Sequence, residues 1–474
     1  MFSDHENDIK QRTNILFYVF SLLSLILIIN LYRLQIGNAE KYVLLSNRNR
    51  IRLSPILPRR GHIITSDGKM IAGNICKYKL IMDRCSNPIF QNNMNILNQC
   101  INLSNEENTS ILDQRKKKHS FIVVKEELSW DEYSRLSMIL FKLKNVSIEN
   151  TYIRNYTMPF EFSHVTGYTS KNNDPIPILV GKTGVEFSLN DQLIGKIGNI
   201  QMEVNAVGKK VRVLDSLDPS EGKNVELTID SQIQKYVYDL LANEKAGACI
   251  VLDISNGEVL AMSSVPAFNP NIVSNKMNNS QWYSITNDPL FPLMNRTISC
   301  SYPPGSIFKI IVSFAALSEK IISPEDKILC TGGIKIDDRV FHCWNRGGHG
   351  QMNLCDALKL SCDCYFFEVA KKLGIDVIVE YAKKFGLGAK TFIELPNENA
   401  GLLPTKKWKF LRHGTTWKPY ETMIVGIGQG ALLTTLMQLA VMFGKLYSED
   451  YNFSPTLIKG IRKKKIFAPI NQEY

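Results

Sequence analysis

The feature that most constrains this chain is a stretch of 20 residues without a charged side chain, between Arg12 and Arg33. Ile, Leu, Phe and Val are dense from Ile15 to Ile29. At about 1.5 Å per residue, the stretch is long enough to cross a hydrocarbon core about 30 Å thick. No second apolar stretch of this length occurs in the 474 residues. The sequence therefore predicts a short polar tail over residues 1–12, one transmembrane helix over 13–34 and a large polar body.

A cleaved signal peptide is the alternative, because Gly37-Asn38-Ala39 resembles a cleavage site between small residues. The apolar stretch exceeds a normal signal-peptide core, and Arg33 separates it from that site, which favours a retained helix. Basic residues flank the stretch on both sides and are more numerous after it, so charge alone does not orient the helix.

The composition excludes several classes of protein. Hydrophobic residues make up 44% and charged residues 21% of the chain, which excludes wholesale disorder and a polytopic membrane protein. The net charge of +11 suits nucleic acid, an anionic membrane or an anionic wall polymer. The basic run Arg115-Lys116-Lys117-Lys118 has no zinc-finger pattern beside it, so we interpret it as a solvated face and expect no nucleic-acid partner. Ten cysteines are too few for a disulfide scaffold.

The body is predicted to be α+β and to change character near residue 226. Residues 35–225 form an extended mixed region, with a hairpin over 60–72 turning at Asp67-Gly68, a helical segment over 105–147, and a loop-rich connector. Glycines mark that connector at positions 181, 184, 195, 198 and 208. Residues 226–474 are predicted to contain a helix over 231–244 and a hairpin whose Asn256-Gly257 suits a type I′ turn. Helices and strands then intermix without regular alternation, which favours an α+β domain.

A candidate nucleophile lies in Tyr302-Pro303-Pro304-Gly305-Ser306-Ile307-Phe308-Lys309. The apolar spacing after the prolines predicts a helix that starts near Ser306, which places Lys309 one turn away on the same face. A serine hydroxyl needs a neighbour to take its proton, and we expect a lysine buried in an apolar wall to do so after burial lowers its pKa.

The Ser-x-x-Lys pattern is weak by itself, because a helix cap explains Ser306 as well. A second match, Ser220-Glu221-Gly222-Lys223, lies in a turn between strands. No helix is expected to align that pair, so we interpret it as a chance match.

A second motif, Ser361-Cys362-Asp363, follows a predicted helix over 354–360. Further motifs surround it, namely Arg60-Gly61-His62-Ile63, Gly181-Lys182-Thr183-Gly184-Val185-Glu186, Pro266-Ala267-Phe268-Asn269-Pro270-Asn271, Asn295-Arg296, the nucleophile segment, Gly348-His349-Gly350 and Gly426-Ile427-Gly428-Gln429-Gly430. With these motifs, the chain resembles the class B penicillin-binding proteins, most closely the elongation-type penicillin-binding protein 2 subfamily. The resemblance covers Arg33 to about Ala440.

The resemblance implies a serine-type D,D-transpeptidase that cross-links peptidoglycan and maintains cell shape during elongation. It implies Ser306 as the nucleophile that β-lactams also acylate, Lys309 as the base, Ser361 as a proton relay and Asp363 as the group that orients the lysine. It further implies a cytoplasmic tail over residues 1–12, an inner-membrane anchor, a pedestal domain of the dimerisation type over 35–225, and a transpeptidase body in the periplasm. The implied partners are stem peptides that end in D-Ala-D-Ala, a SEDS-type glycosyltransferase such as RodA, and other elongation proteins.

The family's third motif, Lys-Thr/Ser-Gly, does not follow the nucleophile in this sequence. The chain ends 44 residues after Gly430, and the only Lys-Thr-Gly, at Lys182-Thr183-Gly184, lies in the pedestal match. That motif's strand supplies one of two oxyanion donors in the family, and losing one donor costs about 10²–10³ in rate. We therefore expect a C-terminally truncated transpeptidase domain that is poorly active or inactive.

Cys330, Cys343, His349 and Cys362 recur at intervals of 13, 6 and 13 residues. Three thiols and an imidazole suit a closed, structural zinc site, and some members of the family carry zinc near the active site. A Cys330–Cys343 disulfide and unconnected core thiols are the alternatives. Substitute ligands would be His342, Cys355 and Cys364.

Three interpretations of the function remain open from the sequence. The first is the membrane-anchored D,D-transpeptidase. The second is a non-catalytic scaffold whose helix and pedestal bind elongation partners, and a division-type synthase or a β-lactam sensor is a third option.

Overall fold

A computed structural model describes residues 2–42, 50–117, 121–172, 178–204, 210–275, 277–336, 339–448 and 452–460. The chain divides into two compact units, residues 1–58 with 196–221, and residues 59–195 with 222–474. The α-helices are Phe2–Tyr32, Asn87–Cys100, Asn105–Lys116, Trp130–Ile139, Ser163–Thr166, Gly184–Ser188, Asn190–Leu193, Ser231–Leu241, Pro270–Asn275, Asn279–Thr286, Lys309–Ser318, Leu354–Lys359, Asp363–Leu373, Ile375–Lys384, Lys406–His413, Pro419–Gly426 and Leu436–Tyr447. The strands are β1 (Ile51–Ile56), β2 (Ile63–Ile64), β3 (Met70–Asp83), β4 (Phe121–Leu128), β5 (Val146–Tyr156), β6 (Thr169–Lys171), β7 (Leu179–Gly181), β8 (Gly198–Val204), β9 (Lys210–Leu217), β10 (Val225–Glu226), β11 (Gly247–Leu252), β12 (Val259–Val265), β13 (Ser301–Tyr302), β14 (Ile328–Cys330), β15 (Gly333–Ile336), β16 (Arg339–His342), β17 (Gly350–Met352) and β18 (Thr434–Thr435).

The first unit contains the apolar N-terminal helix. Its segment Ile15–Gly37 is 23 residues long and has a mean hydropathy of 2.4, and none of it is buried in the protein. It is the one helix among the described residues that is long and apolar enough to span a membrane, and it overlaps the predicted span 13–34. The same unit holds a three-stranded antiparallel sheet in the order β1-β8-β9.

The second unit opens with a five-stranded sheet built around β3. Its order is β10-β2-β3-β4, and β5 pairs with β3 from Ala72↔Tyr156 to Met82↔Val146. The predicted hairpin over 60–72 is confirmed, because β2 and β3 are antiparallel and joined at Asp67-Gly68. Gly68 has a φ of +80°, a value that glycine tolerates without steric cost.

The segment 105–147 is only partly helical, so that prediction is wrong in its middle. Strand β4 runs between two helices there, and its side chains alternate between the core and the surface. Ile122 and Val124 are buried against Leu80 and Leu97 of the same core. The consecutive β-branched residues Ile122, Val123 and Val124 favour a strand, and pairing with β3 selects that conformation.

Two buried arginines hold together two motifs of the resemblance, the one at Arg60 and the one at Glu186, which lie 126 residues apart in the sequence. Arg60 donates from Nε to Glu186 Oε2 at 2.5 Å, and Arg154 donates from Nε to Glu186 Oε1 at 2.6 Å. All three side chains are almost fully buried, and each charge has a partner of opposite sign. This network fixes the first part of the predicted connector, around Glu186, where two short helices, Gly184–Ser188 and Asn190–Leu193, follow each other. Gly208 of the predicted connector lies outside the described residues.

The hairpin predicted near Asn256-Gly257 is present, but its turn type was predicted wrongly. Strands β11 and β12 are antiparallel and separated by residues 253–258. A type I′ turn needs positive φ at both central residues, whereas in this turn only Gly257 has one, at +81°. Asp253 closes the longer loop by accepting from the Gly257 backbone N–H at 2.9 Å.

The helices after residue 300 form the core that carries the candidate site. The helix Lys309–Ser318 turns Ile311, Val312, Ala315 and Ala316 inward, and all four are at most 1% exposed. They belong to one buried cluster with the apolar residues of the helix Asp363–Leu373. Each large apolar side chain buried in this way contributes about 1.5–3 kcal/mol to folding. The two helices that carry the predicted catalytic motifs are therefore held together by their own apolar faces.

Candidate active site

The nucleophile segment begins as a 3-10 turn over Gly305–Phe308 and continues as the helix Lys309–Ser318, as predicted. Gly305 has a φ of +59° and donates its backbone N–H to Gly428 O at 2.9 Å. Gly428 itself has a φ of +73°, and a Cβ added there would lie 2.0 Å from Gly305 O. The glycine-rich segment 426–430 therefore supports the nucleophile turn from behind and needs a glycine at its centre.

The second motif forms a strained turn between the helices Leu354–Lys359 and Asp363–Leu373. Ser361 has a φ of +52°, which is unfavourable for a residue with a Cβ. Its N–H donates to Leu358 O at 3.1 Å, and the Cys362 N–H donates to Ala357 O at 2.8 Å. Strain of this kind persists only where surrounding contacts hold it, and it is common at active sites.

The structure brings all four predicted catalytic residues into one hydrogen-bonded chain. Ser361 Oγ donates to Ser306 Oγ at 2.8 Å, across 55 positions of sequence. Lys309 Nζ donates to Ser361 Oγ at 3.1 Å and to Asp363 Oδ1 at 2.7 Å. Ser361 thus lies between the candidate nucleophile and the candidate base.

The surroundings of the lysine differ from those expected. Its side chain is buried, 1% exposed, as predicted. Its Nζ, however, does not face an apolar wall, because it has three oxygen acceptors, of which the third is Ser361 O at 2.8 Å. The Phe366 ring is the apolar neighbour, with its centroid 5.5 Å from Nζ. The amine is therefore buried among polar partners at the edge of an apolar core, whereas Ser306 is exposed.

Trp344 is a site residue that the sequence reasoning missed. Its backbone N–H donates to Asp363 Oδ2 at 3.0 Å, and its indole Nε1–H donates to Leu360 O at 3.0 Å. Both oxygens of Asp363 therefore accept a hydrogen bond, one from Lys309 and one from this backbone. The available signal was its position directly after the candidate ligand Cys343.

The four predicted metal ligands form one group. The sulfur atoms of Cys330, Cys343 and Cys362 and a ring nitrogen of His349 all lie within 4.8 Å of one another. His349 Nδ1 is 3.5 Å from both Cys330 Sγ and Cys343 Sγ. For a tetrahedral zinc ion with ordinary bond lengths the corresponding S···N separation is about 3.6 Å. The two His349–sulfur separations therefore match a tetrahedral zinc site, and the donor set is one that zinc accepts.

Neither the Cys330–Cys343 disulfide nor the substitute ligands are found in this group. All ten cysteines lie within the described residues and all are free thiols, so the Cys330–Cys343 disulfide is not formed. The substitute ligands His342, Cys355 and Cys364 lie outside the group of four.

Burial raises the pKa values of thiols in this group, whereas hydrogen bonds to a thiolate lower them. Burial raises the pKa of Cys330, but hydrogen bonds from the backbone N–H groups of Gly332 and His349 outweigh it and lower the pKa to about 6. Burial raises the pKa of Cys362 to about 12. A thiolate among buried thiols is a strong attractor for a soft cation.

The second Ser-x-x-Lys match is not helical. Residues 221–224 have no regular secondary structure, and Ser220 forms only an isolated bridge with Lys196. Nothing in that segment aligns a serine with a lysine, as expected.

Comparisons with known proteins agree with the geometry. The penicillin-binding protein dimerisation domain matches residues 55–227, and the penicillin-binding protein transpeptidase domain matches residues 247–473. The peptidoglycan D,D-transpeptidase MrdA of Escherichia coli K12 is 32% identical over 449 residues, covering 91% of this chain and 71% of the relative.

Two solved structures have similar folds. The complex between penicillin-binding protein PBP2 and MreC from Helicobacter pylori gives a TM-score of 0.80 at 26% identity, covering 87% of this chain and 79% of that chain. A peptidoglycan synthase complex that coordinates polymerization and crosslinking gives a TM-score of 0.70 at 27% identity, covering 98% of this chain and 82% of that one.

Proposed function

The chain belongs to the class B penicillin-binding proteins and is a peptidoglycan D,D-transpeptidase, and from this premise we propose that Ser306 is its nucleophile. The single observation that carries the proposal is the unbroken hydrogen-bonded chain from Ser306 through Ser361 to Lys309. Serine becomes nucleophilic when an adjacent group can take its proton, and this chain provides the route.

Counting donors and acceptors indicates how the proton moves. A neutral lysine amine keeps two N–H donors and one lone pair. Asp363 Oδ1 and Ser361 O can only accept, so they take both donors, and the lone pair is left facing Ser361 Oγ. In the reacting form the Lys309–Ser361 and Ser361–Ser306 hydrogen bonds both reverse: the two hydroxyl hydrogens rotate, so that Ser361 donates to the amine and accepts from Ser306. This arrangement makes Lys309 the base, Ser361 the relay and Asp363 the group that fixes the amine.

The covalent steps follow from that arrangement. Ser306 Oγ attacks the penultimate D-Ala carbonyl of a stem peptide, and its proton passes through Ser361 to Lys309. The C–N bond to the terminal D-Ala breaks, and the proton returns along the same route to the leaving amine. An amine of a second stem then attacks the ester, which releases Ser306 and completes the cross-link. A β-lactam would form the same ester by opening its ring.

Acylation by a fluorescent penicillin tests the nucleophile. The detergent-solubilised full chain is expected to gain one covalent adduct, and Ser306→Ala is expected to gain none. Ser361→Ala should slow acylation by about 10²–10⁴, the usual contribution of positioned proton transfer. Ser220→Ala removes the serine of the other Ser-x-x-Lys and is the matched control, with an unchanged rate. An adduct that persists in Ser306→Ala would refute the assignment.

We also propose that Cys330, Cys343, His349 and Cys362 hold a structural zinc ion. The mutual distances within 4.8 Å support this ligand set. An ion with four protein ligands has no open position, so its contribution when bound would be rigidity. Cys362 lies between Ser361 and Asp363, so the ligand group stiffens the turn that carries both.

Elemental analysis tests the metal. Purification without chelators should yield about one zinc per chain, and Cys330→Ser should lower both the zinc content and the melting temperature. Cys76→Ser alters an exposed cysteine and is the control. Less than about 0.2 zinc per chain after mild purification would refute the proposal.

For the organisation of the whole chain, we propose a cytoplasmic tail over 1–12, an inner-membrane helix over 13–34, a pedestal over 35–225 and a transpeptidase domain over 226–474 in the periplasm. The apolar helix and the two domain matches support these bounds. The complex of the H. pylori relative with MreC, and the peptidoglycan synthase complex, support elongation partners that include a SEDS-type glycosyltransferase such as RodA. Loss of RodA co-purification when residues 13–34 are replaced by an unrelated apolar helix would test that contact.

The non-catalytic scaffold is separated from the enzyme by complementation. In cells depleted of the chromosomal copy, Ser306→Ala should fail to restore elongated growth. Full complementation by that variant would favour the scaffold.

A further inference from the structure

We propose that Trp344 is a positioning residue that holds the Ser361–Asp363 turn in its reactive conformation; the inference rests on the proposed roles of Ser306 and Ser361. Trp344 forms one hydrogen bond at each end of that turn, at Leu360 and at Asp363. Its backbone N–H bonds Asp363 Oδ2, and its indole N–H bonds Leu360 O, each at 3.0 Å.

The indole contact acts on the strained residue. Leu360 directly precedes Ser361, whose φ is +52°. Relaxation of Ser361 toward negative φ would rotate the adjoining peptide plane, and that plane contains the carbonyl oxygen of Leu360. A donor fixed on this oxygen therefore opposes the relaxation. Keeping φ positive is what leaves Ser361 Oγ between Ser306 and Lys309, at 2.8 and 3.1 Å.

The backbone contact acts on the carboxylate. Asp363 Oδ1 accepts from Lys309 at 2.7 Å, so a second donor on Oδ2 fixes the plane of the carboxylate. Trp344 is itself held in place, because Cys343 before it donates its N–H to Gly332 O at 3.0 Å. The His349 ring lies 5.2 Å from the Trp344 rings in an edge-to-face contact. The Cys/His group is therefore connected to the Asp363 carboxylate in two ways: through Trp344, which contacts both, and through Cys362, which directly precedes Asp363.

The side chain can be altered without emptying the core. Trp344 is 64% exposed, so substitution leaves no buried cavity. Trp344→Phe keeps an aromatic ring and the backbone N–H, and it removes the indole donor together with part of an exposed ring system. Trp130 is similarly exposed at 67%, and Trp130→Phe is the matched control.

The kinetic test separates positioning from general damage. We expect Trp344→Phe to slow the acylation step by penicillin about 3–10-fold, the effect of one lost hydrogen bond, with unchanged reversible binding. Trp344→Ala should slow it on the order of 10², the cost of a misplaced reacting group. In a Ser361→Ala background Trp344→Phe should have no further effect, because the group that it positions is gone. Trp130→Phe should match the wild type. Equal slowing of Trp344→Phe in both backgrounds would overturn the inference.

Hydrogen exchange provides a readout that does not need an active enzyme. The Ser361 and Cys362 amides, which bond Leu358 O and Ala357 O, should exchange about 3–10-fold faster in Trp344→Phe than in the wild type or Trp130→Phe. Unchanged exchange of these amides would refute the positioning role whether or not the protein is acylated. Absence of any adduct on the wild-type protein, with faster exchange in Trp344→Phe, would instead refute the proposed nucleophile and leave the positioning of the turn supported.

Discussion

Asp363→Asn is the most informative perturbation of the site, because it changes one atom of a carboxylate that uses both of its oxygens. Oδ1 accepts from Lys309 Nζ at 2.7 Å, and Oδ2 accepts from the Trp344 backbone N–H at 3.0 Å. An asparagine has only one oxygen. Whichever way the amide turns, its NH₂ group must face either an amine donor or a backbone donor, so one contact is lost and becomes repulsive.

The size of the effect follows from burial. The side chains of Lys309 and Asp363 are only 1% and 15% exposed, so solvent screens the pair weakly. Lys309 becomes charged when it takes the Ser306 proton, and Coulomb's law then gives about 6 kcal/mol for two unit charges 2.7 Å apart at an effective dielectric constant of about 20. Desolvation offsets part of this attraction, and breaking a buried pair at one end typically costs about 3–5 kcal/mol. If about 3–4 kcal/mol of that loss appears in the acylation barrier, the rate falls about 10²–10³-fold.

The assay measures the rate of acylation by a fluorescent penicillin together with the free energy of unfolding. Asp376→Asn is the matched control, because Asp376 pairs with Lys406 at 2.5 Å but the two side chains are 65% and 60% exposed. Such a surface pair contributes at most about 1 kcal/mol, so this variant should acylate at the wild-type rate. An Asp363→Asn protein that is acylated within about threefold of the wild-type rate would refute the claim that the carboxylate holds Lys309 in place.

Two further predictions concern the support of the site and the pH dependence of stability. Gly428→Ala should abolish rapid acylation, because its Cβ would lie 2.0 Å from Gly305 O. Gly414 also has a positive φ but has open space around it, so Gly414→Ala should cost only about 1–2 kcal/mol of stability and leave the acylation rate unchanged. Equal acylation rates of the two variants would contradict this prediction. Burial, helped by the charge of Arg296, lowers the pKa of His164 to about 4, so between pH 6.5 and 4 the unfolded chain binds a proton there that the folded chain excludes. The free energy of unfolding should therefore fall as the pH drops from 6.5 to 4, by up to about 3 kcal/mol more in the wild type than in His164→Gln. Parallel pH profiles of the unfolding free energies of the two proteins would refute this prediction.

Local sequence signals predicted the elements of the site well. The helix after Ser306 was predicted from apolar spacing, and the hairpin at Asp67-Gly68 from its turn residues. These features depend on neighbours within about four positions, so the sequence carries them directly. Local signals gave the wrong secondary structure where tertiary packing selects the conformation. In β4, a segment predicted to be helical pairs with β3 as a strand.

Contacts between distant residues were beyond the reach of local patterns. Trp344 lies 19 positions from Asp363, and nothing in its immediate surroundings indicates that its backbone N–H bonds the carboxylate. The surroundings of Lys309 were predicted to be apolar, because the turn that supplies its acceptors lies 52 to 54 positions away. The spacing of the Cys/His group was compatible with zinc, a disulfide or separate thiols, and only the folded chain brings the four donor atoms within 4.8 Å.

The sequence by itself determined which chemical groups are available: an apolar stretch of membrane length, a serine and a lysine one helical turn apart, and a Ser-Cys-Asp turn. Tertiary structure alone decided how those groups meet, namely that a serine bridges the nucleophile to the amine and that both oxygens of one carboxylate are in use. The physical reason is that helices and turns form from interactions between near neighbours. The geometry of a proton relay, by contrast, depends on tenths of an ångström between groups that only the packing of distant helices brings together.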